Sequence, residues 1–188
     1  MNTSRGQHRK AAMNLRITLN RVKCVNTENQ SGADDFYVVG ATVAGGKTQP
    51  ALVSPMQIKD GQELPFPADQ RVVFNGPVTD TDTLHLGLAA YNQDSKRDWQ
   101  RRGDAAARIT AAAGALPVPT GELLVSTAGT AANAVLGGLD PDDKLGQLAL
   151  DVPIKDLKPG TDKKWTCSSK PGAANSWQYE VYYTVEKA

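Results

Sequence analysis

Alternation of apolar and polar residues with a period of two is the dominant pattern of the chain, and it predicts half-buried β-strands. In residues 81–92 three leucines share one face: Leu84, Leu86 and Leu88. Residues 177–185 alternate most clearly, with five apolar side chains on one face: Trp177, Tyr179, Val181, Tyr183 and Val185. Residues 15–24 alternate with a change of parity near Asn20, which predicts a β-bulge.

Shorter strands are predicted at residues 36–43, 50–59, 71–74 and 148–152. Turn-forming residues separate them, with glycine at positions 45 and 46, Asp60-Gly61, and Asn75-Gly76-Pro77. Two prolines in residues 50–59 favour an edge position for that strand. Many short strands joined by turns are typical of an antiparallel β-sandwich.

Residues 95–138 differ from the rest because they are rich in alanine and favour helices. Four side chains at helical spacing share one face: Trp99, Ala106, Ile109 and Ala113. Pro117 and Pro119 end this helix, and Thr120 is a candidate N-cap for a second helix that ends at Gly137-Gly138. The strand pattern resumes afterwards, so this segment is predicted to be a helical hairpin inserted in one loop of the sandwich.

The predicted organisation is a flexible tail at residues 1–14, followed by one β-sandwich domain at residues 15–188 with the insertion at 95–138. The tail is polar and basic and has no apolar run behind it, which differs from a secretory signal. We therefore expect a protein that is cytoplasmic, or released without a classical signal peptide, and not transmembrane.

Charge and motif content narrow the function classes. The 188 residues carry 21 basic and 20 acidic side chains, a net charge of +1 that gives no reason to expect nucleic-acid binding. The chain has no zinc-ligand spacing and no Gly-x-Ser-x-Gly nucleophile motif. Cys24 and Cys167 either pair or remain as buried thiols, and Cys167 could act as a nucleophile only beside His85. We expect a binding module and not an enzyme.

Three short segments carry a resemblance to a known family. Residues 32–38 read Gly-Ala-Asp-Asp-Phe-Tyr-Val, residues 90–94 read Ala-Tyr-Asn-Gln-Asp, and residues 142–147 read Asp-Asp-Lys-Leu-Gly-Gln. In this order they resemble the Gly-x-Ser-Asp-Pro-Tyr-Val, Asp-x-Asp and Asp-Asp-Phe-Ile-Gly-Glu motifs of C2 domains. These are the calcium- and phospholipid-binding sandwiches of synaptotagmin and protein kinase C type. The resemblance covers residue 15 to the end, except the insertion, and implies a C2-like antiparallel β-sandwich.

The resemblance also implies a calcium site in the loops at one end of the sandwich, with seven candidate ligand residues: Glu28, Asn29, Asp35, Asn92, Asp94, Asp142 and Asp143. Calcium takes about six to eight oxygen ligands, which such loops can bring together from distant parts of a sequence. Asn29 and Asn92 are neutral where the family has carboxylates, Phe36 replaces the usual proline, and the insertion interrupts the third loop. These departures predict weak binding, and the alternative is that the acidic residues only form turns and caps.

A basic cluster around one tryptophan is the second candidate site, and it comprises Lys96, Arg97, Trp99, Arg101 and Arg102. It is suited to contact with an anionic membrane surface or a protein partner, and the alternative is a solvated helix face balanced by nearby aspartates. The sequence thus predicts a calcium-responsive module that associates with a membrane or a partner. The alternative is a structural protein without a metal site, whose helical hairpin is the contact or self-assembly surface.

Overall fold

The computed structural model describes residues 12–27, 32–93, 97–137, 144–169 and 176–188. The strands in chain order are β1 (Met13–Asn26), β2 (Asp34–Ala44), β3 (Lys47–Ile58), β4 (Glu63–Pro65), β5 (Val72–Val78), β6 (Thr83–Asn92), β7 (Lys144–Pro153), β8 (Gly160–Ser168) and β9 (Gln178–Lys187). Sheet A has the order β4-β1-β9-β8, with β5 also paired to β1, and sheet B has the order β3-β2-β6-β7. All pairings are antiparallel. The predicted antiparallel sandwich is confirmed.

The main core lies between the two sheets, and the alternating strands supply it as predicted. On β1 the inward side chains are Leu15, Ile17 and Leu19. The pairing of β1 with β9 shifts between Leu19 and Arg21, which confirms the predicted bulge. Because the bulge adds one residue, Val22 and Cys24 at even positions face the same core as Leu15, Ile17 and Leu19 at odd positions.

The inserted segment forms two helices, α1 (Arg102–Gly114) and α2 (Gly121–Leu136), which pack on the outer face of sheet B. Thr120 caps α2, because its hydroxyl accepts from the Leu123 amide at 3.2 Å. Gly137 ends α2 with a φ of 77°, a conformation that favours glycine. The strands on either side of the hairpin are neighbours, with Leu86 opposite Leu150.

Strand β6 differs from the sequence prediction because both of its faces are covered. Its three leucines enter the core between the sheets, as expected. On the opposite face Ala89 and Tyr91 belong to a second core beneath the helices. Gly87 lies on this face where the start of α2 touches the sheet, and a Cβ there would lie 2.2 Å from the Gly121 carbonyl oxygen.

Three details of the strand assignment also differ. β5 continues through residues 75–77, which were predicted to be a turn, and the turn lies instead at residues 79–82, where Asp82 accepts from the Thr79 amide. Pro77 is tolerated because a strand near the sheet edge can spare one backbone donor.

Strand β8 was not predicted, since only Trp165 and Cys167 are buried in its mostly polar sequence. β1 begins at Met13, inside the segment predicted as a tail.

Replacing Gly121 by alanine is expected to destabilise the protein by about 1–3 kcal/mol. The new Cβ would lie 2.6 Å from the Leu150 amide nitrogen and 2.8 Å from the Leu86 carbonyl oxygen, so α2 must move away from the sheet. Gly103→Ala on α1 is the matched control, because a Cβ there has no atom within 4 Å. Chemical denaturation of both variants measures the effect, and equal stability of the two would contradict this packing.

Candidate functional site

The strand ends that adjoin the candidate calcium ligands in the sequence, namely the end of β1, the start of β2 and the end of β6, lie at one end of the sandwich, which we call the loop end. Strand pairing places Asn26 opposite Gln178 in sheet A, and Phe36 opposite Asn92 in sheet B. The rings of Phe36 and Tyr179 lie 5.3 Å apart and join the two sheets there. The Gly45-Gly46 hairpin and the turn at residues 79–82 lie at the opposite end.

Asp35 and Asn92 are the two predicted ligand residues within the described structure, and they are in contact. The Asn92 side-chain oxygen accepts from the Asp35 amide at 3.1 Å, and the Gln93 amide donates to the Asp35 carbonyl at 3.0 Å. Asn92 is 1% exposed, whereas Asp35 is half-buried. The buried asparagine therefore ties the start of β2 to the end of β6.

Asp34 is a buried carboxylate of the loop end that the sequence analysis did not select as a ligand. It is 1% exposed, and the Tyr179 hydroxyl of β9 donates to its carboxylate, so the pair connects sheet B to sheet A. Burial, together with this hydrogen bond, raises the pKa of Tyr179. The sequence feature that could have identified Asp34 is the Asp34-Asp35 pair at the start of a strand. Consecutive side chains of a strand face opposite sides of the sheet, so one of the two aspartates must face inward.

The other five predicted ligand residues lie outside the described residues: Glu28, Asn29, Asp94, Asp142 and Asp143. Within the described ranges, no three His, Cys, Asp or Glu side chains are grouped so that they could hold a metal ion. Two further described carboxylates of this end are engaged, Asp34 with the Tyr179 hydroxyl and Asp60 with the Thr27 amide at 2.6 Å, so Asp35 is the one carboxylate among the described predicted ligands. One carboxylate does not make a calcium site, which needs about six to eight oxygens.

The four described residues of the basic cluster make contacts within the protein. Arg97 is only 9% exposed, and its guanidinium lies 5.0 Å from the centre of the Tyr37 ring. The Trp99 indole donates to Gln93 at 2.6 Å and packs edge-on against Tyr37. Arg97 is therefore not a free surface cation. Arg97 and Trp99 both contact Tyr37, and they attach the segment that precedes α1 to sheet B.

The two arginines at the start of α1 are more open. Arg101 donates to the Val135 carbonyl at 3.3 Å and lies 3.5 Å from Asp104. Arg102 donates to the Leu52 carbonyl at 3.4 Å and lies 3.5 Å from Asp69. Lys96, the fifth member of the cluster, lies outside the described residues. Contact of this cluster with a membrane or a partner stays a prediction.

The cysteines are free and buried, so the alternative of a disulfide is not realised. Burial raises the pKa of Cys24 to about 11 and that of Cys167 to about 12, so both thiols are protonated at neutral pH. His85 lies 2.6 Å from Asp151, which also accepts from the Gly121 amide. This ring supports the start of α2, and Cys167 lacks the low pKa that a thiolate nucleophile requires.

Comparison with known proteins finds similarity among solved structures. No family model matches the chain, and no curated protein sequence matches it. Among solved structures, a C2 domain of plant extended synaptotagmin 1, the domain designated A, matches at 12% identity with a TM-score of 0.35, over 96% of this chain and 98% of that chain. The strand order and pairing described above show an antiparallel β-sandwich that carries a helical hairpin.

In the part of the chain that the structure describes, no helix has both the length and the apolarity that crossing a bilayer requires.

Proposed function

We propose that this protein is a non-enzymatic binding module, that its loop end binds calcium, and that calcium promotes association with an anionic membrane. The observation that supports this proposal is the contact between Asp35 and Asn92, two predicted ligand positions that are 57 residues apart in sequence. This contact joins the start of β2 to the end of β6. In the sequence, Asp94 comes two residues after Asn92, the last residue of β6.

Three further acidic residues adjoin described residues of the loop end in the sequence: Asp94, Asp142 and Asp143. Residues 142 and 143 immediately precede β7, whose first residue, Lys144, is paired with Tyr91. In the proposed site these aspartates, together with Asp35 and Asp94, would repel one another unless a cation neutralised them. Because Asn29 and Asn92 are neutral, we expect a calcium dissociation constant of roughly 10⁻⁴–10⁻³ M.

The alternative function uses the helical hairpin as a surface for protein contact or self-assembly. The apolar face of the hairpin is already packed on sheet B, with Ile109, Leu124 and Ala128 in the second core. Among the residues that the structure describes, the hairpin exposes only two large hydrophobic side chains, Val118 and Leu123. This surface is small for a protein interface, so the loop end is the better-supported site.

Calcium is expected to raise the free energy of unfolding, because it binds the folded loops and hardly the unfolded chain. The gain is RT ln(1 + [L]/Kd), about 2.7 kcal/mol at a hundredfold excess over Kd. Thermal melts with calcium and with magnesium measure it, and magnesium should do less because it requires tight octahedral geometry. The double variant Asp35→Asn with Asp94→Asn should lose the calcium shift.

Asp80→Asn is the matched control, since Asp80 is exposed in the turn at the opposite end. It should keep the full calcium shift. Sedimentation with phosphatidylserine vesicles, with and without calcium, tests the membrane step, and neutralising Lys96, Arg101 and Arg102 should weaken it. Arg97 is left intact because it supports the hairpin. No melting shift at a hundredfold excess of calcium over the expected dissociation constant, roughly 10–100 mM, would overturn the proposal and favour the hairpin surface.

A further inference from the structure

A cavity lies between the two sheets, near the end opposite to the loop end. It has a volume of about 250 Å³ and opens where the edge strands β7 and β8 face each other without pairing. Aliphatic side chains from both sheets line it, among them Ile17, Leu86 and Leu150. Leu150 and Val152 of β7 remain half-buried, because no strand covers this opening.

Lys163 of β8 points toward this cavity. Trp165 and Cys167 are buried on the inner face of β8, and Lys163 has the same parity and is half-buried, whereas Lys164 is exposed and pairs with Glu180 at 2.8 Å. Lys163 lines the cavity together with Lys158. The strand therefore places the Lys163 side chain at the rim of this cavity, beside its largely apolar lining.

A bulge determines this orientation. The pairing of β8 with β9 shifts between Gly160 and Lys163, and Asp162 within the bulge has a φ of 52°, which is uncommon for a residue other than glycine. The Asp162 carboxylate accepts from Arg21 at 2.6 Å on the outer side of sheet A. This ion pair holds the bulge and therefore the inward direction of Lys163.

The charges at the opening are unbalanced. Within the described ranges Lys163 and Lys158 have neither a hydrogen bond nor an ion pair, and the one carboxylate that lines the cavity is Asp156. An apolar space with cationic groups at its mouth is complementary to a molecule with one apolar chain and one anionic end. The volume is below the roughly 300–1,000 Å³ of typical ligand pockets, which limits the chain to medium length.

We propose that the cavity between β7 and β8 binds a single-chain anionic amphiphile, such as a medium-chain fatty acid, with its chain between the sheets and its carboxylate at Lys163. The site is separate from the loop end. The two proposals are therefore tested independently: absence of calcium binding at the loop end would leave this proposal intact, and absence of amphiphile binding would leave the calcium proposal intact.

Titration with the homologous carboxylates hexanoate, octanoate and decanoate below their micelle concentrations tests the proposal, with calorimetry and methyl NMR of the leucine and isoleucine side chains. We expect one molecule per chain, with shifts at Ile17, Leu86 and Leu150. Each added methylene should tighten binding about fourfold until the cavity is full. Decylamine, with the same chain and the opposite charge, should bind at least tenfold more weakly.

Lys163→Met removes the charge but keeps an apolar side chain of similar length, and it should weaken decanoate binding at least tenfold. Lys164→Ala on the outer face is the matched control and should bind within twofold of the original protein. A further experiment with zwitterionic phosphatidylcholine vesicles distinguishes binding of a free fatty acid from binding of lipid in a bilayer. Without calcium, we expect no binding of the protein to these vesicles.

An inward lysine on an edge strand can also prevent strands from pairing between molecules. If that were its only role, Lys163→Met would self-associate in analytical ultracentrifugation while its affinity for decanoate stayed unchanged. This result would overturn the proposal, as would equal binding of decanoate and decylamine, or no binding at all.

Discussion

Replacing Val181 by aspartate is expected to destabilise the protein by more than about 4 kcal/mol, a large part of the roughly 5–15 kcal/mol that holds a domain folded. Val181 is fully buried in the middle of β9, between Val22 of β1 and Trp165 of β8. A carboxylate at this position would lose its hydration without gaining a cation or a hydrogen-bond donor. Urea unfolding followed by circular dichroism measures the loss.

Val118→Asp makes the same chemical change where the side chain is 71% exposed, between the two helices. It should alter the free energy of unfolding by no more than about 0.5 kcal/mol. Val181→Ala separates the effect of lost packing from that of the charge, and should cost clearly less than the aspartate. Similar melting temperatures for Val181→Asp and Val118→Asp would contradict the placement of β9 in the core.

Alkaline pH is expected to remove about 4 kcal/mol of stability through Cys167 alone between pH 9 and pH 12. The thiol is 2% exposed, and burial raises its pKa from the ordinary value of 9.0 to about 12. The unfolded chain loses this proton near pH 9 while the folded protein keeps it. The contribution is therefore fully present below pH 9 and is lost as the pH rises toward 12.

Cys167→Ala should reduce the fall in the free energy of unfolding by about 1.4 kcal/mol per pH unit in this range. Urea unfolding under reducing conditions at pH 8, 9, 10 and 11 measures the slope for both proteins. A residual slope is expected, because burial also raises the pKa of Cys24 to about 11 and that of Tyr179. At pH 8 the difference between the two proteins reports packing alone. Parallel curves from pH 8 to pH 11 would show that the Cys167 thiol is not shielded from water.

Local patterns were sufficient to predict most of the secondary structure. The period of two identified the inner faces of β1, β6 and β9, and the parity change near Asn20 identified the bulge. Helical spacing and the cap at Thr120 identified the hairpin. These features succeed because strand and helix geometry decide which neighbours in the sequence share a face. Strand β8 was missed, since most of its residues are polar and only two buried residues mark its inner face.

The candidate site was predictable only in part. The order of three short motifs pointed to the loop end, and the structure brings Asp35 and Asn92 into contact there. The sequence could not distinguish a calcium ligand from a structural amide at Asn92, because that depends on the backbone amide that faces it. It also could not show that Asp34 is buried against Tyr179, a residue 145 positions away.

Alternation in the sequence thus determined which residues share a face, and the tertiary structure decided what covers each face. Gly87 lies on a face of β6 that the sequence left open, and the start of α2 covers it at backbone contact distance. Arg97 reads as a surface cation, yet it is buried over the Tyr37 ring because the hairpin folds back on sheet B. Lys163 lies outside every strand that the sequence predicted, and the bulge at Asp162 turns it toward the space between the sheets. Burial is set by contacts between residues far apart in the chain, and a local pattern carries no information on them.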